Sequence, residues 1–268
     1  GNIVTNNLQQ GIVLYEAWPA TISILNNWIE GNGTGLQNLL SESVDAGRNY
    51  WGAADGPGGE GDGSGDTIST GVTYASYYIN STMTTLVAPI VQVDDDFTPS
   101  TPGWGEYAFA TIQAGVNGTV SGGTVEIADG TYTESNIALN KPITIEGADR
   151  ATVILAPAAE DDNLAGRWNG VFQHGFIVTT NDVSIRNLTI DGQANATLTP
   201  GKSNFRVGIA TDDRIAALTV DNLTVSNVAV QNAYFYGISV RNAGSNLNVS
   251  ASRIANIAYG AYPSYGLL

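Results

Sequence analysis

Apolar residues along this chain come in short runs of three to five, rich in Val, Ile and Leu, alternating with polar positions and closed by Asn or Gly. Alternation with a period of two is the signature of a β-strand with one buried face. Asn and Gly tolerate the left-handed backbone that a corner between strands requires. One recurring unit is a strand opened by Asn: Asn187-Leu188-Thr189-Ile190, Asn222-Leu223-Thr224-Val225 and Asn246-Leu247-Asn248-Val249. A second is glycine followed by an aliphatic residue, at Gly11-Ile12, Gly35-Leu36 and Gly237-Ile238, the first two 24 positions apart. Coils of about 20 to 30 residues with this pattern cannot bury their inward faces alone, so they stack about 4.8 Å apart. The expected class is therefore all-β, a parallel β-helix. The competing arrangement, an antiparallel β-sandwich, calls for tight two-residue hairpin turns, and few are present.

A parallel stack exposes unpaired backbone at both ends unless something covers it. Phe109, Ile112 and Val116 fall at i, i+3 and i+7, which predicts a short capping α-helix near 106–116. Thr119 to Gly123 then breaks the helix and Thr124-Val125-Glu126-Ile127 opens the first strand. Earlier, coils rich in Asn and Ile run from Ile3 to Leu40. Asn49-Tyr50-Trp51-Gly52, a loop of Gly, Asp and Glu from Ala53 to Asp66, and an apolar stretch near Val72 to Ile79 follow, in the manner of an ending.

These segments resemble a known family. Phe109-Ala110-Thr111-Ile112-Gln113-Ala114-Gly115-Val116, Gly123-Thr124-Val125 and Asp129-Gly130-Thr131-Tyr132-Thr133-Glu134 resemble the entry segment of the pectate-lyase-like right-handed parallel β-helix superfamily. Val93-Asp94-Asp95-Asp96 through Trp104-Gly105 is similar to the lead-in found in large secreted and cell-surface proteins of bacteria and archaea. Arg48-Asn49-Tyr50-Trp51-Gly52 with Asp55-Gly56-Pro57-Gly58-Gly59 is similar to the terminal motif of the superfamily's repeat domains. The resemblance implies that residues 1–85 form the closing half of one β-helix, 86–105 a linker or strap, and 106–268 the opening half of another. The two halves then continue into other copies or into a tandem array. Alternatively they join within one chain through a connection from about Thr84 to Thr101: its seventeen residues reach at most about 60 Å, against roughly 45 Å for nine or ten coils.

Composition narrows the function classes. The 268 residues contain no cysteine, which rules out disulfides and thiolate chemistry. Ten Lys and Arg against 25 Asp and Glu give a net charge of −15, the wrong sign for nucleic acid. No run of about 18 apolar residues occurs, so a membrane span is not expected, and any leader or anchor is expected to lie outside this sequence or to have been removed. Sequons at Asn32, Asn80, Asn117, Asn187, Asn195, Asn222 and Asn248 are candidate glycosylation sites of a protein outside the cell.

Enzymes of the resembling superfamily act on acidic polysaccharides, but the Arg-x-Pro-x-x-Arg pattern of its lyases is missing. Gln173-His174-Gly175 does not reproduce the Gly-His-Gly of its hydrolases. Gly130-Thr131-Tyr132-Thr133-Glu134 matches an esterase-like element that also marks the first coil of inactive relatives. No catalytic residue is assigned, Glu134 and His174 being read as structural. Asp191, Asp212 and Asp213 with Arg206 and Arg214 are candidates for a uronate- and calcium-binding groove, or else turn residues. Calcium, the one cofactor considered, needs six to eight oxygens. Its candidate ligands are Asp94, Asp95 and Asp96, and Asp55, Asp62 and Asp66 beside Glu60. Trp28, Trp104, Trp168 and Tyr236 are candidate sugar-stacking residues, or else packing aromatics. The expected function is an extracellular structural or adhesive module that stacks end to end with other copies of itself. The alternatives are a lyase or hydrolase, or a carbohydrate-binding module, for acidic glycans.

Overall fold

The computed structural model describes residues 1–15, 22–159, 173–198, 205–211, 219–240, 245–257 and, for the backbone, 265–267. It is nearly all β, with strands paired mostly in parallel and one helix among the described residues. The chain divides into two compact units, Gly1–Ile90 and Val91–Leu268, the boundary falling inside the strand Leu86–Val93.

In the second unit the chain returns to three parallel sheets in a fixed order. The first sheet takes Thr119–Ile127, Ile143–Gly147, Val183–Arg186, Leu223–Ser226 and Leu247–Ser250. The second takes Gly130–Thr133, Val153–Ala156, Thr189–Asp191, Ala229–Gln231 and Arg253–Ala255. The third takes Ile137–Leu139, His174–Val178, Phe205–Thr211, Ala233–Ser239 and Tyr265–Leu267. Each sheet contributes a column of in-register apolar residues: Val125, Ile145, Ile185, Val225 and Val249 in the first, and Tyr132, Leu155, Ile190, Val230 and Ile254 in the second. Ile137, Phe176, Ile209, Ile238 and Leu267 form the third. Residues two apart along a strand share a face, and the buried members of these columns, among them Val125, Ile185, Leu155, Ile190, Phe176 and Ile209, form the core.

The corners use the predicted chemistry. Asn136, Asp182, Asn187, Asn222, Asn227, Asn232 and Asn256 all have φ between 51° and 59°. Side-chain amides link successive corners: Asn227 Nδ2 donates to Asn187 Oδ1 at 2.9 Å, and Asn222 Nδ2 to Asp182 Oδ1 at 2.8 Å.

The helix is Ile112–Gly118, starting later than the residues 106–116 expected. Ala108–Phe109 instead forms a short strand beside Gln92 and Val93, and Thr111, in extended conformation, accepts from Ala114 N as the N-cap. Ile112 and Val116 are buried, as the spacing predicts, while Phe109 is only half-buried on its strand. The strand after the helix begins at Thr119 rather than Thr124, and Gly122, with φ 84°, lies within it. Residues 86–105 begin as the strand Leu86–Val93 and continue through hydrogen-bonded turns at Asp94, Thr98 and Gly103.

The first unit follows the same plan with shorter strands. Ile3–Thr5, Trp28–Glu30, Asn49–Tyr50 and Tyr77–Tyr78 stack in parallel in one sheet, the last closed by antiparallel pairing with Leu86 and Val87. Gln10–Leu14, Thr34–Asn38, Gly65–Ile68 and Pro57–Gly59 form the next, and Val44–Asp45 pairs with Val72–Thr73 in a third. Ile12 pairs with Leu36, so the 24-residue glycine-aliphatic spacing is one turn of the chain. The Asn-opened strands are less uniform. Leu223 and Leu247 are partners, whereas Asn187 precedes a strand of the second sheet.

Candidate functional site

Two features could carry function: the ends of the columns, and a groove on the second unit.

The columns stop abruptly at one edge of each unit. In the second unit Val225 and Val230 are buried, but their partners in the last layer, Val249 and Ile254, are half exposed. In the first unit Ile29 and Leu36 are buried, while Val4 and Ile12 in the first layer are half exposed. Ile3 and Leu8 beside them are 68% and 100% exposed. Each edge also ends a hydrogen-bond ladder. In the first unit Asn2 N and Nδ2 both donate to Asn27 Oδ1 at 3.0 Å, and Asn27 N and Nδ2 donate to Asn49 Oδ1 at 2.8 and 3.1 Å. In parallel, Asn7 N and Nδ2 donate to Asn32 Oδ1, and Asn32 N and Nδ2 to the Asp66 carboxylate. These rungs of the first unit run from each layer to the one after it, whereas in the second unit the amide rungs from Asn222 and Asn227 run to the layer before.

The opposite ends of the stacks are closed. In the second unit the carboxylate of Glu134 accepts from Ile112 N at 2.5 Å and Gln113 N at 2.9 Å, satisfying two otherwise orphaned helix donors. Burial raises the pKa of this carboxyl group against the lowering effect of those two bonds. Glu134 is therefore placed as a structural cap. In the first unit, the Gly-Asp-Glu loop packs tightly: a Cβ on Gly63 or Gly65 would come within 2.4 Å or 2.3 Å of backbone carbonyl oxygens, and one on Gly56 within 2.8 Å of the Tyr77 ring.

The groove, about 540 Å³, lies on the second unit and is lined by Asp94, Phe97, Glu126, Glu146, Gly147 and Asn187 among others. Glu126 and Glu146 are direct partners in the first sheet, and Arg186, partner of Glu146, binds its carboxylate at 2.6 Å. Sequence reading missed this row, although its signal is present: Val125-Glu126-Ile127, Ile145-Glu146-Gly147 and Ile185-Arg186-Asn187 each put a charge after a core aliphatic.

Four of the candidate calcium ligands, Asp94, Asp95, Asp55 and Asp66, accept hydrogen bonds from the protein. Asp94 Oδ1 accepts from Asp96 N at 2.9 Å in a turn, and Asp95 accepts from Thr131 N at 3.3 Å. Asp55 accepts from Ser64 Oγ at 2.9 Å, and bonding to Ser64, chiefly its backbone, lowers the Asp55 pKa. Asp66 ends the Asn7–Asn32 ladder, and Asp62 is exposed. No group of three or more potential ligands comes together among the described residues.

The aromatic candidates are dispersed. Trp28, in the first unit, donates Nε1 to Glu30 at 2.6 Å and meets Tyr50 edge-on. In the second unit Trp104 is 39% exposed and Tyr236 is buried against Phe235. Trp168, Asp212, Asp213 and Arg214 lie outside the described residues. Asp191 accepts from Gln231 and Asn232 in a corner ladder, and Arg206 is buried with its guanidinium 5.5 Å from the Phe235 ring centre. His174 N donates to Asn136 Oδ1 at 2.9 Å, and its carbonyl accepts from Asn136 N at 2.6 Å. Of the sequons, Asn117, Asn222 and Asn248 are exposed, whereas Asn32, Asn80, Asn187 and Asn195 are half-buried with their side chains hydrogen-bonded.

Compared with known families, curated proteins and solved structures, the chain matches none.

Proposed function

We propose that this protein is an extracellular structural or adhesive module whose two units are halves of right-handed, pectate-lyase-like parallel β-helices that stack end to end with other copies. The observation that carries this reading is the half exposure of in-register apolar residues, Val249 and Ile254 at one edge and Val4 and Ile12 at the other, which no further layer covers among the described residues. Unpaired parallel edges with apolar inward positions recruit further strands. Among the described residues the ends differ in order: the second unit is closed before its first layer and open after its last, and the first unit is open before its first layer and closed after its last. A heterologous, head-to-tail contact of this kind builds filaments rather than closed rings unless its rotation happens to close.

Sedimentation velocity of the full chain over a range of concentrations tests the reading. Mass should grow with concentration, and Val249→Asp should keep the protein monomeric with an unchanged circular dichroism spectrum. A wild-type protein that stays monomeric throughout would refute assembly.

The groove supports a second reading, in which Glu126 and Glu146 bind a glycan through its hydroxyl groups, with Arg186, paired to Glu146 beside the lining, available to a carboxylate. Calorimetric titration with oligouronates checks this: heat lost in Glu126→Gln is expected, and no heat with the wild type rejects it.

A further inference from the structure

Aromatic residues stand half-exposed on the outside of the first unit, at positions where the second unit carries polar ones. Trp28 pairs with Tyr50, and Tyr50 with Tyr78, so the three lie side by side on successive strands of one sheet. Leu86, also half-exposed, continues the row as the partner of Tyr78. The neighbouring positions point the other way: Ile29 and Trp51 are wholly buried and Tyr77 nearly so, which puts the row on the outer face. Each aromatic residue has a layer on both sides, with Ile3–Thr5 before Trp28 and Leu86–Val93 after Tyr78. Their exposure therefore belongs to the face of the sheet and not to its ends.

We infer that this row is a binding face for a neutral polysaccharide, whose sugar rings stack on Trp28, Tyr50 and Tyr78 along the direction in which the layers succeed one another. The parallel layers do not themselves call for such a row. In the second unit one outer row of the corresponding sheet is Thr124, Thr144, Ser184 and Thr224. Large aromatic side chains left outside give up most of the burial that makes them favourable, and a row of them marks a contact surface.

The local chemistry suits a sugar. Trp28 Nε1 donates to Glu30 Oε2 at 2.6 Å, and Glu30 lies two residues on, on the same face. Burial, and after it the charge of Glu30, raises the pKa of Tyr50, so this carboxylate stands near both rings. The Trp28 and Tyr50 rings meet at 71° with centroids 6.2 Å apart, forming a notch with two walls. A sugar ring offers an apolar C–H face to an aromatic wall and a rim of hydroxyl donors to a carboxylate.

Charge selects among polymers. Residues 1–90 contain eight Asp and Glu against a single basic residue, Arg48. That field repels acidic glycans and nucleic acids, and a lipid surface calls for an apolar face without a carboxylate set into it. A neutral sugar chain meets neither obstacle. Successive strands lie about 4.8 Å apart, close to the advance of an extended chain per pyranose ring, so neighbouring sugars meet successive aromatic residues.

Calorimetric titration of the full chain with cellohexaose, mannohexaose and xylohexaose tests the proposal, with hexagalacturonate as the acidic comparison. At least one neutral hexaose is expected to bind. Trp28→Ala and Tyr50→Ala should each weaken it about tenfold or more. Trp28→Phe, which keeps a ring, should weaken it less, and Glu126→Gln, in the groove of the second unit, should leave it unchanged. A second measurement does not depend on the alanine variants folding. In wild-type protein the Trp28 indole N–H resonance, identified by its loss in Trp28→Phe, should shift as the neutral hexaose is added. No binding of any neutral hexaose would overturn the proposal, and so would binding that leaves the Trp28 resonance unmoved or that Glu126→Gln abolishes. Hexagalacturonate binding as tightly and losing its affinity in Trp28→Ala would overturn the assignment of a neutral ligand.

Discussion

The two units build the same kind of parallel layer from different cores. The second relies on unbroken aliphatic columns, with Val125, Ile145, Ile185 and Val225 wholly buried one above another. The first has fewer buried aliphatics and places amides inside: Asn49 is fully buried, accepts from Asn27, and donates to Ile24 O at 2.6 Å and Ala46 O at 2.8 Å. Their closed ends differ too. The second unit spends a helix capped by a buried carboxylate, and the first a glycine-dense turn in which backbone packs on backbone. Thick apolar layers can be covered by a separate element resting on them. A narrow layer with amides inside leaves little apolar surface for a helix to bury, so its cover must approach closely, and only glycine allows that.

Perturbing each device should separate the units. The largest effect is expected from Gly65→Val, whose Cβ would meet the Trp51 and Gly56 carbonyl oxygens at 2.3 and 2.6 Å. Backbone cannot yield as a side chain can, and loss of about 3 kcal/mol or more is expected in denaturant unfolding, with the second unit's amides keeping their hydrogen-exchange protection. Next comes Asn49→Ala, which leaves buried donors and acceptors on Asn27, Ile24 and Ala46 without partners. It should cost about 2–3 kcal/mol, and Asn49→Leu should not rescue it.

Glu134→Ala, confined to the second unit, should cost about 1–2 kcal/mol by exposing two helix N–H groups to an apolar surround. Its pH dependence has a definite sign. Because burial raises the folded-state pKa of Glu134, its favourable contribution is present below the ordinary carboxylate pKa and is lost as pH rises through the raised one. Melting curves of wild type and Glu134→Gln should therefore diverge in the variant's favour as pH rises through that window; a constant difference would place the titration elsewhere. The smallest effect belongs to Arg186→Ala. Its ion pair with Glu146 is 42% and 32% exposed, so stability should move by no more than about 0.5 kcal/mol.

Much of this layout was readable in the residues, and the failures have identifiable causes. The Gly11 and Gly35 spacing marked a true layer repeat because the turn between them keeps nearly one length on two sheets, Ile3 pairing with Trp28, 25 residues on, and Ile12 with Leu36, 24 on. Asn187 misled because later turns vary: Ile143 pairs with Val183, 40 residues on, and Leu223 with Leu247, only 24 on, so similar Asn-opened strands fall on different sheets. The helix began late because Phe109 satisfies a helical spacing while its backbone is taken by a strand, a tertiary contact that periodicity cannot see. Asp66 was a candidate calcium ligand because a carboxylate among glycines suggests calcium; its place at the end of an amide ladder depends on Asn32, 34 positions away, and was not legible. The Glu126, Glu146 and Arg186 row escaped notice because outward charges on strands usually do no more than face water.

Helical reconstruction by electron microscopy of the native protein tests the account most directly. The account predicts filaments that repeat this chain, with parallel layers about 4.8 Å apart stacked along the axis. Discrete single particles would contradict it.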